Sequence, residues 1–302
     1  MQKTVKFKNR EWDVAGIIHF PQDFDDTKQY AAIVCAHPGS SVKEQTAGLY
    51  ASKLAEGGFI ALVFDASFQG ESGGLPRYLE DPTTRVEDIR CAVDYLVTCS
   101  FVDVNRIGVL GVCAGGGYAA NAAMIEKRIK AVGTVIGNNA ARAFGELNAL
   151  QTLEKVAEQR TAEARGAGPL ITPWIPNTPE EAQQAGITDD DTLEAVDYFR
   201  TPRGNHPNSC NKLLFTSMAN LIMFDAFNLA DKLLTQPLLV IVGDRVGSFG
   251  SYRDGFNLYN KAASQKKSIH VVHGAGHYDL YDQPEATGEA IDQLLPFYRE
   301  NL

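Results

Sequence analysis

The chain contains no apolar run approaching the ~20 residues that a bilayer-spanning helix needs, so no transmembrane segment is expected. Its opening stretch, MQKTVKFKNREWDVAG, is charged and has no apolar h-region, which argues against a secretory signal. The five cysteines (35, 91, 99, 113 and 210) are odd in number and include no Cys-x-x-Cys pair, so neither a disulfide framework nor a zinc site is expected. Positive charge is in deficit. Twenty-eight Lys and Arg against 37 Asp and Glu leave a net charge of −9, which disfavours nucleic acid and anionic membrane as partners. No glycine-rich loop is followed by the Lys-Ser/Thr of a phosphate cradle, and internal repeats are absent. These absences point to a soluble, reduced, cytoplasmic protein. Association of copies into a homo-oligomer is left open.

Within 302 residues, 44% hydrophobic and 22% charged, there is ample material for a large buried core. Short apolar runs at Val14–Phe20, Tyr30–Ala36, Phe59–Phe64, Arg106–Val112 and Ile129–Ile136 alternate with helical patterns. Such runs, apolar on both faces, predict an α/β fold: a mainly parallel sheet flanked by helices. Ser41 with Glu44, and Thr84 with Glu87, have capping-box spacing at two helix starts. The rhythm breaks after residue 137 and resumes near 238 with strands Pro237–Val242 and Ser268–Val272 and helices Tyr252–Ala263 and Pro284–Tyr298. A structureless loop of ~100 residues is implausible in a compact domain. Residues 138–237 therefore read as a helical cap inserted into a core built from 1–137 and 238–302, with helix starts at Thr178 and Asp191.

The strongest chemical signal is Gly111-Val112-Cys113-Ala114-Gly115, set between a strand and a helix. A nucleophile elbow needs a sharp turn and small flanking residues, because the reactive residue's backbone is strained and strand and helix pack closely. Here Cys113 holds the nucleophile position, and the Ala114 N–H faces the place where an oxyanion would form. A helix N-terminus favours thiolate, so the Cys113 thiol is expected to titrate below roughly 8.5 and to alkylate faster than Cys35, Cys91 and Cys99, with Cys210 as competitor. The bland alternative, a glycine-rich packing turn around an inert cysteine, is outweighed by the strand–elbow–helix context.

In chains with such an elbow the acid and then the histidine follow the nucleophile. His277, in Gly274-Ala-Gly-His-Tyr-Asp after the last strand, is the expected proton carrier; His19, His206, His270 and His273 read as structural. Asp244 is the first carboxylate after the preceding strand, although the acid's usual place a couple of residues further on holds Val246 and Gly247. Asp279, Asp254 and Glu44 are the fallbacks. The backbone of Gly39 or Ser40 is expected to complete the oxyanion hole, with His37 shaping that loop and the glycine-bearing stretch Phe64–Gly74 lining the pocket. His37, Phe68, Trp174 and Tyr198 are expected to meet the substrate. Phe144, Phe199, Met218 and Phe224 are further large side chains available as pocket wall.

Together, Gly-Val-Cys-Ala-Gly-Gly-Gly-Tyr-Ala, His37-Pro-Gly-Ser-Ser-Val-Lys-Glu-Gln, Phe64-Asp-Ala-Ser-Phe-Gln-Gly-Glu-Ser-Gly-Gly and Gly276-His-Tyr-Asp-Leu-Tyr-Asp resemble the α/β-hydrolase superfamily. They are most similar to its branch of dienelactone hydrolases and thioesterase-like polyketide transferases. The resemblance implies cofactor-free chemistry at an ester-like carbonyl, with Cys113 as nucleophile, His277 as general base and acid, Asp244 as orienting carboxylate, and Ala114 with Gly39 or Ser40 as oxyanion donors. The expected activity is hydrolysis of esters, lactones or thioesters. Acyl transfer to a bound alcohol is the alternative, and a non-catalytic ligand-binding protein of the same fold is the reading from another class.

Overall fold

The computed structural model describes residues 1–146 and 148–302. The chain opens with a hairpin, β1 (Gln2–Asn9) and β2 (Trp12–His19), that sequence reading found only in part. From Thr4 onward strand β1 alternates Thr4, Lys6 and Lys8 outward with Val5, Phe7 and Asn9 inward, as a half-buried edge strand should. After it come β3 (Tyr30–Ala36), α1 (Thr46–Glu56), β4 (Ile60–Phe64), α2 (Pro82–Val97), β5 (Val102–Val112), α3 (Ala114–Ile125) and β6 (Ile129–Val135).

The segment between β6 and the next sheet strand carries α4 (Ala140–Gly145), α5 (Ala149–Ala164), β7 (Ile171–Thr172), α6 (Pro179–Gln184), α7 (Asp190–Arg200), β8 (Leu213–Leu214), α8 (Ser217–Met223) and α9 (Ala230–Leu233). It is helical apart from the two-residue antiparallel pairing of β7 with β8. The sheet then resumes with β9 (Leu238–Gly243), α10 (Ser251–Lys261), β10 (Lys267–Val272), α11 (Asp279–Asp282) and α12 (Pro284–Asn301).

The main sheet runs β1-β2-β4-β3-β5-β6-β9-β10, with β1, β2 and β4 paired antiparallel and all other neighbours parallel. Its central strands are buried on both faces, which is why they read as continuous apolar runs. Ile107 and Val109 of β5 face one layer of helices, whereas Leu110 and Val112 face the other. Each such side chain, fully withdrawn from water, contributes about 1.5–3 kcal/mol. No helix among the described residues is long and apolar enough to cross a membrane.

Several helix starts differ from expectation. Asp81, not Thr84, caps α2: its carboxylate accepts the Thr84 N–H at 3.0 Å, and Pro82 fills the first helical position, where no N–H is needed. At α1 the Ser41 hydroxyl donates to the Gln45 side chain (2.9 Å) rather than capping the helix. At α7 the cap is Asp189, which accepts the Thr192 N–H at 2.9 Å. Asp191 is thereby left in the first turn, buried.

Register decides what meets at the sheet's carboxyl end. Ala36 lies opposite Gly111, Val112 opposite Val135, and Val272 opposite Gly243. The loops after β3, β5, β6, β9 and β10 therefore gather on one side, where sites of open α/β sheets form.

Candidate active site

Cys113 follows β5 without a gap and initiates α3 with φ 54 and ψ −123, a conformation few non-glycine residues adopt. The turn is held by hydrogen bonds from Cys113 N to Val135 O (3.0 Å) and from Gly116 N to Cys113 O (2.8 Å). It also explains the flanking glycines. A Cβ at Gly111 would sit 2.1 Å from Gly115 O, and one at Gly115 would sit 2.3 Å from Ala36 O, so any side chain there would force strand and helix apart.

A cavity of about 460 Å³ lies over this turn. Gly39, Ser40, Cys113 and Ala114 form its floor from the sheet side, and Phe144, Trp174 and Phe199 come from the inserted segment. Gly39 lies directly beneath the Trp174 ring, with a Cβ there 3.4 Å from it and 4.0 Å from Ala114 Cβ. The N–H groups of Gly39 and Ser40 donate to no acceptor among the described residues. On the far wall Tyr118 donates to the buried Glu80 at 2.9 Å, and Arg85 lies 3.4 Å from the same carboxylate.

The thiol of Cys113 is buried. It receives a hydrogen bond from Asn138 Nδ2 at 3.5 Å, pairs with the Tyr281 hydroxyl, and faces the Ala114 N–H. Burial outweighs these contacts and pushes the thiol up to about 11. The expectation of a lowered value is therefore corrected: the helix terminus and its partners act on a group from which water has been removed, and desolvation of the charged form dominates.

His277 is buried too, and desolvation pushes its imidazole down to about 3. Its ring packs against Tyr278 (5.1 Å), Tyr281 (5.5 Å) and Phe249 (5.4 Å). Tyr281 thus touches both the thiol and the imidazole. Nδ1 of His277 lies 3.1 Å from the Ser251 hydroxyl, and Nε2 is buried with no hydrogen-bond partner among the described residues.

Asp244 does not reach His277. Its carboxylate pairs with His273 Nδ1 (2.8 Å) and accepts the Gly274 N–H (2.6 Å), because it leaves β9 at the strand's very end and closes the turn after β10. The fallbacks are engaged elsewhere as well. Asp279 accepts the Gly276 N–H at 2.7 Å, Asp254 pairs with Arg142 at 2.7 Å, and Glu44 pairs with Lys43 at 2.7 Å.

Three expected substrate contacts are also displaced. His37 is buried in the loop after β3, its Nδ1 2.6 Å from Pro38 O, and its Nε2 accepts the Ala66 N–H at 3.0 Å and sits 3.0 Å from Arg85. Phe68 packs on Trp12, 5.3 Å between rings, outside the cavity. Tyr198 stands behind the wall, stacked among Phe199, Tyr278 and Tyr281. Trp174, Phe144 and Phe199 line the cavity; Met218 and Phe224 do not. The Phe64–Gly74 loop builds a buried ion cluster instead: Asp65 accepts the Lys43 ammonium (2.9 Å) and the Glu71 N–H (2.8 Å).

That loop contains a second elbow-like spacing, Gly70-Glu-Ser-Gly-Gly74, with a serine at its centre. Ser72 lies in a loop rather than between strand and helix, is buried, and spends its hydroxyl on Asp65 O (2.7 Å) and the Ala15 N–H (2.9 Å). It has no access to the cavity. Sequence reading missed Ser251 and Asn138. Tyr278 and Tyr281 carried a signal in their spacing from His277.

The whole-chain comparisons agree with this architecture. A 42% identical relative, the uncharacterized protein YcjY of Escherichia coli, matches over 100% of both chains. The crystal structure of hypothetical protein PA2218 from Pseudomonas aeruginosa superposes with a TM-score of 0.90 at 32% identity, covering 100% of this chain and 94% of that one. The thiohydrolase aneE of Aspergillus aculeatus is 31% identical over 150 residues, 48% of this chain and 47% of that protein. The family model for the alpha/beta hydrolase family matches residues 33–290, and the chain belongs to that family.

Proposed function

We propose that this protein is an acyl hydrolase that opens thioesters, lactones or activated esters through a covalent acyl group on Cys113. The observation that carries the reading is Cys113 itself: a thiol on a strained strand-to-helix turn, at the floor of a cavity and beside the unused N–H groups of Gly39 and Ser40. A merely structural cysteine has no need of φ 54.

Thiol and imidazole both rest uncharged, since burial raises one and lowers the other. As Sγ bonds to the acyl carbon, its proton passes to Nε2 of His277 and the carbonyl π pair moves onto oxygen. The Ala114 N–H and that of Gly39 or Ser40 hold the oxyanion. Collapse breaks the bond to the leaving thiol or alcohol, which takes the proton from His277. Water then attacks the acyl-Cys113, giving its proton to His277, and the thiol is released with the acid product. A thiolate leaves a tetrahedral intermediate more readily than an alkoxide, so simple alkyl esters tend to revert while thioesters and activated esters go forward. The inserted segment acts as a cap. Phe144, Trp174 and Phe199 favour an uncharged, apolar acyl group of a size matching the cavity.

Hydrolysis of p-nitrophenyl acetate and of an acyl thioester by wild type, C113A and H277A tests the reading. Both variants should fall by several orders of magnitude, and mass spectrometry should find the acyl adduct on Cys113. Retention of wild-type rates by C113A overturns it, and an inactive wild-type protein favours the non-catalytic alternative. Product analysis with and without an added alcohol separates hydrolysis from transfer.

A further inference from the structure

We propose that Asp191, carried on helix α7 of the inserted segment, is the positioning carboxylate for His277, acting through Ser251 and the turn that precedes it. The inference rests on the reading of Cys113 and His277 given above.

The acid of an elbow-type triad has its usual place shortly after β9, and there this chain has Val246 and Gly247. The space a side chain at 247 would take is already filled. A Cβ on Gly247 would lie 2.1 Å from Oδ1 of Asp191, 2.2 Å from its Cγ and 2.3 Å from Oδ2. A carboxylate therefore stands where the side chain of residue 247 would project, but it is delivered from the inserted segment. Because Asp189 caps α7, Asp191 has no capping duty. Its Oδ2 accepts the Phe249 N–H at 2.7 Å, and among the described residues it forms no ion pair within 4.0 Å. The same turn runs from Gly247 through Phe249, whose ring packs on the imidazole, to Ser251, whose hydroxyl lies at Nδ1.

A buried imidazole that must become imidazolium needs a negative charge nearby. Asp244, Asp254, Asp279 and Glu44 are all committed to other partners. Burial dominates the raised titration of both Cys113 and Tyr278, and the negative charge of Asp191 adds to it at each, which puts that charge close to the active centre. Asp191 itself is raised by burial and by Asp189 and Asp190, and lowered by Arg245. The Ser251 hydroxyl oxygen accepts a hydrogen bond from Nδ1–H of His277 and Asp191 supplies the compensating charge, so the triad is complete only when α7 is seated on the core.

The test compares D191N, D191A and the double variant D191A/G247D with wild type, C113A and H277A on p-nitrophenyl acetate. D191N keeps an acceptor for the Phe249 N–H and removes only the charge. It should lose kcat by about 10²-fold with KM within about threefold, at a melting temperature close to wild type. D191A vacates the space over residue 247, and G247D should refill it from the core side, recovering at least about tenfold over D191A. A D191N rate within about threefold of wild type, with C113A and H277A inactive, refutes the inference and leaves the nucleophile assignment standing. A loss in D191N that the transplanted carboxylate does not recover assigns Asp191 to cap packing and also refutes it. If C113A keeps wild-type rates, the catalytic reading falls first and takes this inference with it.

Discussion

Iodoacetamide should label Cys210 well before Cys113, although Cys113 is the proposed nucleophile. Burial pushes the Cys113 thiol up to about 11. At pH 7.5 an ordinary thiol of pKa about 8.5 is ionised to roughly 9%, and one at about 11 to roughly 0.03%, a deficit of about 300-fold. The greater nucleophilicity of the more basic thiolate recovers about tenfold of this. Cys113 should thus react some 20- to 30-fold more slowly than a free thiol (a rough figure from the same ionisation and Brønsted arithmetic), and its enclosure adds to the delay. Cys210 is exposed, Cys35 is buried, and burial pushes the Cys91 thiol up to about 12. Mass-spectrometric mapping of partial labelling at pH 7.5, 8.5 and 9.5 measures each site separately. The Cys113 rate should climb about tenfold per pH unit over that range. Labelling of Cys113 as fast as Cys210 at pH 7.5, or a rate that levels off below pH 9, would mean that the resting protein holds a thiolate, and the neutral-pair mechanism would be wrong.

D244N should keep activity within about threefold of wild type, since Asp244 braces His273 and the Gly274 turn; a loss of 10²-fold in kcat would reinstate it as the triad acid. K43M should lower stability by about 3–5 kcal/mol in urea titration, because it leaves Asp65, fully buried, without its cation; a change under 1 kcal/mol would show that water reaches the cluster. His277 is held neutral when folded, at about 3. The unfolded imidazole takes up a proton near pH 6.5 while the folded one does not, so the stability that neutral burial contributes is full above that value and is lost as pH falls from about 6.5 towards about 3. Relative to H277N, wild type should lose roughly 2 kcal/mol between pH 7.5 and pH 5, and parallel stability profiles would contradict the assignment. W174A and F144A should shift preference among acyl chain lengths more than they shift melting temperature, since both side chains face the cavity; equal losses on every substrate that track melting would place them in the core instead.

What local sequence decides was readable in this chain. Strands buried on both faces must be apolar throughout, and the elbow needs glycine at 111 and 115 because backbone atoms of α3 and β3 come within van der Waals contact of them. The order of apolar runs, the break after residue 137 and the position of Cys113 all follow from such short-range constraints. Even there, edges depend on details: β1 has no apolar run because five of its eight residues face water, and Asp81 displaced Thr84 as a cap because Pro82 suits the first helical turn.

Which carboxylate meets which imidazole is a matter of long-range geometry. Asp244 and His277 have the right order along the chain, yet Asp244 follows β9 directly and there meets His273 and the Gly274 N–H at the turn after β10. Asp191 and Gly247 are separated by 56 positions and by a change of fold layer, and only packing of α7 onto the core brings the carboxylate over the glycine. The charge states have the same origin. A helix N-terminus is visible in sequence and favours thiolate, but the desolvation that overrides it exists only once Tyr278, Tyr281 and the inserted segment have closed around Cys113. Sequence alone determined the strand, the turn and the cysteine at its apex, because those rest on neighbours in the chain; the tertiary structure decided the histidine's partners and the protonation of the pair, because those rest on what is buried beside them.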